Sequence, residues 1–367
     1  MEHRVHRSSS SSVWVRGSRS AWAAAAVALV HAATALGAVE RMPDEVRSSA
    51  TLSAEQKQQV QRFVSEQMGR LRDGDSVAVE EARQSLVSAF QGSEPSIGFR
   101  LEFGRAAAND LKRLATSGDL HRAINAAVVA GAIGTSETID AIGAGLGDRR
   151  AAVRVASATG LREVIVTSAG SRVRKDQGSE AIRRAGGALA KESAPAVALA
   201  LVAALESARG SQFHGEAALA VGSAMGGLAA GLPTPAVGDG LLGAEAMQRG
   251  VSLMFTRLID TQGGQVDAAF LRSVVGAGTH ALGYAVRHPE ETIGSEREEA
   301  IAALGQMVAA AEQAVVYGEA RLRNASPSSS TVKASFDASA TSGDASGFEE
   351  AARALIARAA AARGSKP

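Results

Sequence analysis

GDRRAAVRVASATGL, residues 147–161, is the stretch that decides the fold. A large aliphatic residue, a polar residue and an alanine recur at 29-residue offsets: Ile124-Asn125 with Ala127, Val153-Arg154 with Ala156, and Ile182-Arg183 with Ala185. Between the first two patterns, residues 138–146 form another helical run, which Gly147-Asp148 ends. Self-similarity at a fixed offset is the signature of stacked units. The predicted unit is therefore a helical hairpin whose alanine faces its neighbour.

Composition supports an all-α fold. Of 367 residues, 46% are hydrophobic but only 4% are aromatic, and 77 are Ala beside 39 Gly. Alanine is the best helix former, whereas a sheet needs β-branched and aromatic side chains. The chain has no Cys, which excludes disulfides, thiolate nucleophiles, Cys-ligated zinc and thiolate-held iron–sulfur clusters.

The N-terminus has the three parts of a secretory signal peptide. Arg4, Arg7, Arg16 and Arg19 precede an apolar run over residues 21–33, and small residues follow at 33–37. Residues 1–37 are therefore predicted to be a cleaved signal peptide, with a periplasmic or secreted bacterial protein as the product. An uncleaved membrane anchor is the alternative. After cleavage, 35 basic and 37 acidic residues leave a net charge near −2 and no predicted membrane span.

The stretch 147–161 resembles the HEAT repeat, whose first helix carries Asp, then Val-Arg, then Ala, then Leu at about this spacing. The resemblance extends to units at 120–146 and 178–209. It implies an α-solenoid of the HEAT/armadillo type, a scaffold that holds partners and has no catalytic residue to transfer. The predicted units are near 30 residues long, shorter than the roughly 40 of that family.

The resemblance also assigns roles to individual residues. It implies a ladder of Asp and Arg side chains between adjacent repeats, for which Asp148, Arg154 and Arg183 are the candidates. It places Ala156 and Leu161 in the core of the hairpin.

An excess of basic residues between 149 and 184 predicts a binding surface for an acidic protein or another acidic envelope component. The candidates are Arg149, Arg150, Arg172, Arg174, Lys175 and Arg184. The alternative is that these side chains solvate turns and serve the ladder. Nucleic acid is not expected as a partner, because no aromatic residues interleave with the basic ones.

Changes in composition divide the chain. Residues 38–50 are a predicted linker, 51–230 the helical repeat region, and 231–243 a Gly/Pro hinge. Helices resume over 244–324, a Ser-rich segment at 325–347 predicts a flexible linker, and 348–367 predict an amphipathic helix and tail. This helix is expected to dock in cis on the end of the helical stack, and binding to a partner in trans is the alternative. Its expected apolar side carries Phe348, Ala352, Leu355, Ile356 and Ala359.

Enzyme signatures are weak. Gly276-Ala277-Gly278-Thr279-His280-Ala281 has a dinucleotide-binding spacing, but it follows residues with helical rather than strand periodicity, so it predicts tight helix packing. His121, His214, His280 and His288 do not pair at metal-ligand spacing and are expected at surfaces or helix ends. We therefore expect a non-enzymatic scaffold without metal or cofactor. An all-helical enzyme without a motif and a cytoplasmic nucleic-acid-binding solenoid are the alternatives.

Overall fold

The computed structural model describes residues 41–92, 94–169, 175–234, 239–261, 266–287, 289–293 and 298–364, and in them every regular element is a helix. The prediction of an all-α fold is confirmed. The helices are α1 Asp44–Ser48, α2 Ala54–Asp73, α3 Ser76–Ser88, α4 Ile97–Ala115, α5 Leu120–Ile133, α6 Ser136–Leu146, α7 Ala151–Ala169, α8 Lys175–Leu189, α9 Pro195–Glu206, α10 His214–Gly231, α11 Gly240–Asp260, α12 Ala268–Ala285, α13 Pro289–Ile293, α14 Glu298–Leu322, α15 Val332–Ser342 and α16 Ser346–Gly364.

Most helices pack against the next helix and, more extensively in most cases, against the next but one. This alternation divides the helices into two rows. Row one contains α3, α5, α7, α9, α11 and α14, and row two contains α2, α4, α6, α8, α10, α12 and α16. The core lies between the rows, where aliphatic and alanine side chains from both are fully buried.

The 29-residue alignment does not follow this packing. Ile124 on α5 and Val153 on α7 belong to row one, whereas Ile182 on α8 belongs to row two. The matched residues are not equivalent in burial either, because Val153 and Ile182 are buried whereas Ile124 is only half-buried. Row-two helices α4, α6 and α10 begin at Ile97, Ser136 and His214, which are 39 and then 78 residues apart.

Helix ends follow the sequence signals closely. Ser53 and Gln56 form the predicted capping box of α2, and the Asp75 carboxylate accepts the Ala78 N–H at the start of α3. Asp119 caps α5 in the same way through Arg122 N–H. Side-chain oxygens satisfy backbone donors that a first helical turn leaves unpaired, so these signals are local and readable.

Glycines inside the helices allow close contact between them, as expected. A Cβ built on Gly131 of α5 would lie 2.6 Å from Gly160 Cα of α7. A Cβ on Gly278 of α12 would lie 2.8 Å from the Ala311 carbonyl oxygen of α14. Gly283 of α12 differs, because nothing lies within 4 Å of its Cβ position.

Two segments expected to be linkers contain helices. The predicted linker 38–50 contains α1. Its Val46 is buried, and its Arg47 side chain donates hydrogen bonds to the carbonyl oxygens of Ala89 and Gln91, just beyond the end of α3. The predicted flexible linker 325–347 holds α15, with Val332 and Phe336 almost fully buried. Neither segment has enough apolar residues to predict a helix alone, and contacts with the rest of the fold stabilise both.

The predicted Gly/Pro hinge separates α10 from α11, and its residues 235–238 lie outside the described part of the chain. Its beginning is tied to α12: Tyr284 Oη donates to the Pro233 carbonyl oxygen at 2.9 Å, and Arg287 donates to that of Leu232 at 3.2 Å. Burial raises the pKa of the Tyr284 hydroxyl, so it remains a donor.

One helix in the described ranges, α14, is long and apolar enough to cross a membrane by length and composition. Half of its most apolar window is buried against other helices. The same property is found in core helices of globular proteins, and α14 packs against α11, α12, α15 and α16.

Candidate binding surface

The predicted basic residues do not form one free surface. Arg149 and Lys175 are exposed, whereas Arg150 and Arg184 are half-buried in ion pairs. The Arg184 guanidinium contacts carboxylates of Glu180 and Asp140 beside a shallow cavity of about 260 Å³ between α6 and α8. Arg172 and Arg174 lie outside the described residues.

Arg150 holds the turn between α6 and α7. It donates to both carboxylate oxygens of Asp148, at 2.9 and 2.7 Å, and to the carbonyl oxygens of Ser117 and Gly118 beyond the end of α4. The hydrogen bond from Arg150 is the main reason that the pKa of Asp148 falls to about 2. Arg150 therefore has a structural role and is not a free cation.

Arginines recur in this role. Several donate to carbonyl oxygens at or just beyond the C-terminal end of another helix, where unpaired carbonyls and the helix dipole favour a cation. These are Arg47 to Ala89 and Gln91, Arg100 to Ala132 and Ile133, Arg122 to Gly74, Arg150 to Ser117 and Gly118, and Arg287 to Ala229 and Leu232. These five arginines therefore bind the ends of other helices.

The proposed ladder is replaced by a different pair. Arg154 Nε and Nη2 each lie 2.9 Å from a Glu192 carboxylate oxygen, and both side chains are largely buried. Glu192 Oε1 also accepts the backbone N–H groups of Ser193 and Ala194 before α9. Arg154 reaches only the Asp148 carbonyl, not its carboxylate.

Two further residues, Arg183 and Ala156, also differ from the roles that the resemblance implies. Arg183 is exposed and pairs with Glu180 on its own helix. Leu161 is buried as expected, but Ala156 is only half-buried, because Val153, Ser157 and Ala158 supply the buried side of α7.

The remaining motif residues are structural. Gly276 and Gly278 lie inside α12 rather than at a strand-to-helix turn, as the helix-packing interpretation predicted. His121 and His280 are exposed. His214 is the first residue of α10 but is buried, and burial lowers its pKa despite Asp260 Oδ2 at 3.5 Å. His288 lies outside the described residues.

Exposed apolar side chains on row one were not predicted from the sequence. Leu120 of α5, Val166 of α7 and Tyr317 of α14 are 43 to 45% exposed, and the Tyr317 ring packs edge-on against Phe255 of α11 at 5.6 Å. We call the exposed side of the row-one helices the row-one surface. Its helices have apolar residues on both sides, so periodicity alone does not say which side faces solvent.

Comparisons with protein-family models, with curated proteins and with solved structures find no match to this chain.

Proposed function

We propose that the chain is an exported helical-repeat scaffold, an α-solenoid of the HEAT/armadillo type, that binds another protein through its row-one surface. The observation that carries the proposal is the two-row alternation, in which helices contact their next-but-one neighbours from α2 to α14. In solenoids each unit contacts only its neighbours, which creates an extended surface for partners.

Repeat length supports the same family. The 39-residue interval between the starts of α4 and α6, repeated twice before α10, is close to the roughly 40 residues of HEAT and armadillo units. Of the two 29-residue offsets, the second compares helices of different rows, and the first compares α5 with α7, whose starts at Leu120 and Ala151 are 31 residues apart. The Arg154–Glu192 pair joins α7 to the turn before α9, the next helix of row one, at a separation of 38 residues, which resembles the family's ladder between adjacent units.

The row-one surface is the better candidate for the partner site than the basic residues. Tyrosine, which row one exposes at Tyr317, is among the residue types that contribute most to the binding energy of interfaces, whereas lysine and carboxylate residues are depleted at interface centres. Arg150 and Arg184 are already paired, and Arg149 and Lys175 remain for the acidic-partner hypothesis. No nucleic acid, cofactor or catalytic role is proposed.

Export is a separate part of the proposal and rests on residues 1–37. Sequencing the N-terminus of the protein from envelope and culture-medium fractions tests it. We expect a new N-terminus near residue 38. An intact N-terminus on cytoplasmic protein contradicts export and revives the nucleic-acid alternative.

Cross-linked pull-down with a tagged full-length chain from the same fractions tests the binding surface. We expect Val166→Asp on row one to reduce the amount of captured protein at least tenfold. Leu219→Asp on α10 of row two is the matched control, because Leu219 is equally exposed at 47%. Loss with Leu219→Asp but not with Val166→Asp, or loss only with Arg149→Glu and Lys175→Glu, contradicts the row-one site.

A further inference from the structure

The last two helices, residues 332–364, form a hairpin that lies on α12 and α14. The apolar side of α16 is buried as the sequence predicted, through Phe348, Ala352, Leu355 and Ala359, with Ile356 half-buried. Phe348 packs edge-on against Phe336 of α15 at 5.1 Å. The hairpin thus covers the end of both rows.

Two glutamates of α14 hold the hairpin. Glu312 accepts the first two N–H groups of α15, from Val332 at 2.9 Å and from Lys333 at 3.0 Å. Glu319, whose side chain is 5% exposed, accepts Arg358 Nε of α16 at 3.0 Å. The two are seven residues apart, so they lie on the same side of α14. We call this side, with α12 beside it, the hairpin site.

The polar contacts in the hairpin site are incomplete. Glu319 Oε1, Arg358 Nη2 and Arg363 Nε are buried without a hydrogen-bond partner. A buried polar atom without a partner costs about 1 to 3 kcal/mol. The free energy that holds the hairpin on the site is therefore smaller than burial of its apolar side chains alone would give.

The connection to the hairpin is exposed. Residues 323–331, between α14 and α15, are exposed except for half-buried Ser330. They include Pro327 and Asn324, whose φ is +50°. No part of this connection is buried in the core, so it can change path without disrupting the fold.

We propose that the hairpin site is a helix-binding site that also takes the hairpin of a second copy of this chain, so that two copies exchange hairpins. The occupant is identified by complementarity. The site presents the carboxylates of Glu312 and Glu319 and an apolar surface. The hairpin supplies the first N–H groups of α15 for Glu312, Arg358 for Glu319, and the Phe348–Leu355 apolar side for the apolar surface. Exchange makes the same contacts in trans as in cis, so the length of the connection determines whether docking within one chain or exchange between two chains is favoured. This exchange does not depend on a partner at the row-one surface.

Geometry gives the decisive perturbation. Val332 is bonded to Glu312, ten residues before Leu322, so the connection must return about 15 Å along α14 at 1.5 Å per residue. Nine residues reach this distance easily. Deleting residues 325–330 leaves three, which span at most about 14 Å over four Cα–Cα steps. The shortened connection is about 1 Å short of this distance, so docking in cis then requires the loss of the Glu312 contacts or the unwinding of the last turn of α14.

Light scattering after gel filtration of the full chain tests the exchange. We expect the 325–330 deletion to be a dimer at micromolar concentration, with the helix content of the parent by circular dichroism. The matched control replaces the same six residues by Gly and Ser without changing the length, and its dimer fraction should equal that of the parent and stay below that of the deletion variant. A monomeric deletion variant overturns the proposal. So does a dimer that persists after Phe348→Ala and Leu355→Ala, because its association does not use the hairpin.

Peptide binding provides a second measurement. A fluorescent peptide of residues 329–364 is titrated onto the full chain and onto its Phe348→Ala/Leu355→Ala variant. We expect at least tenfold tighter binding to the variant, because the parent hairpin competes at a millimolar effective concentration. The Arg358→Glu peptide should bind at least tenfold more weakly, since it opposes Glu319. Equal binding of both peptides, or preference for an unrelated basic amphipathic peptide, overturns the proposal.

Discussion

Replacing Gly131 by Ala should destabilise the protein, although alanine is the better helix former. The added Cβ would lie 2.6 Å from Gly160 Cα of α7, a backbone atom that no rotamer change moves away. Separating α5 from α7 to an ordinary contact needs about 1 Å, and such overpacking costs about 1 to 3 kcal/mol, or more where backbone must shift. Helix propensity returns about 1 kcal/mol. We expect a net loss of about 2 kcal/mol.

Urea unfolding at 25 °C, followed by far-UV circular dichroism, measures this loss. Gly187→Ala on α8 is the matched control, because nothing lies within 4 Å of its Cβ position. It should stabilise the protein by about 0.5 to 1 kcal/mol through propensity alone. A Gly131→Ala variant as stable as the parent, with an unchanged m-value, would refute the close α5–α7 contact.

Three further outcomes are expected for the purified protein. Glu192→Ala should lower the free energy of unfolding by about 3 kcal/mol, because it leaves buried Arg154 and two backbone N–H groups without their acceptor. Glu163→Ala, at an exposed position, should change the free energy of unfolding by less than about 0.5 kcal/mol. Equal effects of the two variants in urea unfolding would contradict this expectation. Burial lowers the pKa of His214, so the unfolded chain binds its proton first and stability should decline as pH falls below about 6.5; His214→Asn should reduce that decline in melts between pH 7 and 5. Arg150 lowers the pKa of Asp148 to about 2, so its contribution is complete above the ordinary value of 3.8 and is lost as pH falls towards 2; Asp148→Asn should remove part of this acid sensitivity, and an identical acid melt would count against the pairing.

The sequence by itself determined the helices and many of their ends. Alanine content and 3.6-residue periodicity are properties of each segment alone, and Ser53, Asp75 and Asp119 cap through contacts within a few residues. The apolar side of α16 was predictable for the same reason. These features need no knowledge of what packs against them.

Only the tertiary structure decided which helices are equivalent and what the charged residues do. Helices of both rows have similar apolar periodicity, so the 29-residue offset matched helices that are not equivalent in the fold. Periodicity alone does not show to which row a helix belongs. Arg150 and Arg154 bind groups 32 to 38 residues away, and Glu312 starts α15 from a distance of 20 residues. Such partners are set by how helices stack. Helix α15 itself, with Val332 and Phe336 as its buried aliphatic and aromatic side chains, exists because α14 and α16 supply its cap and its core.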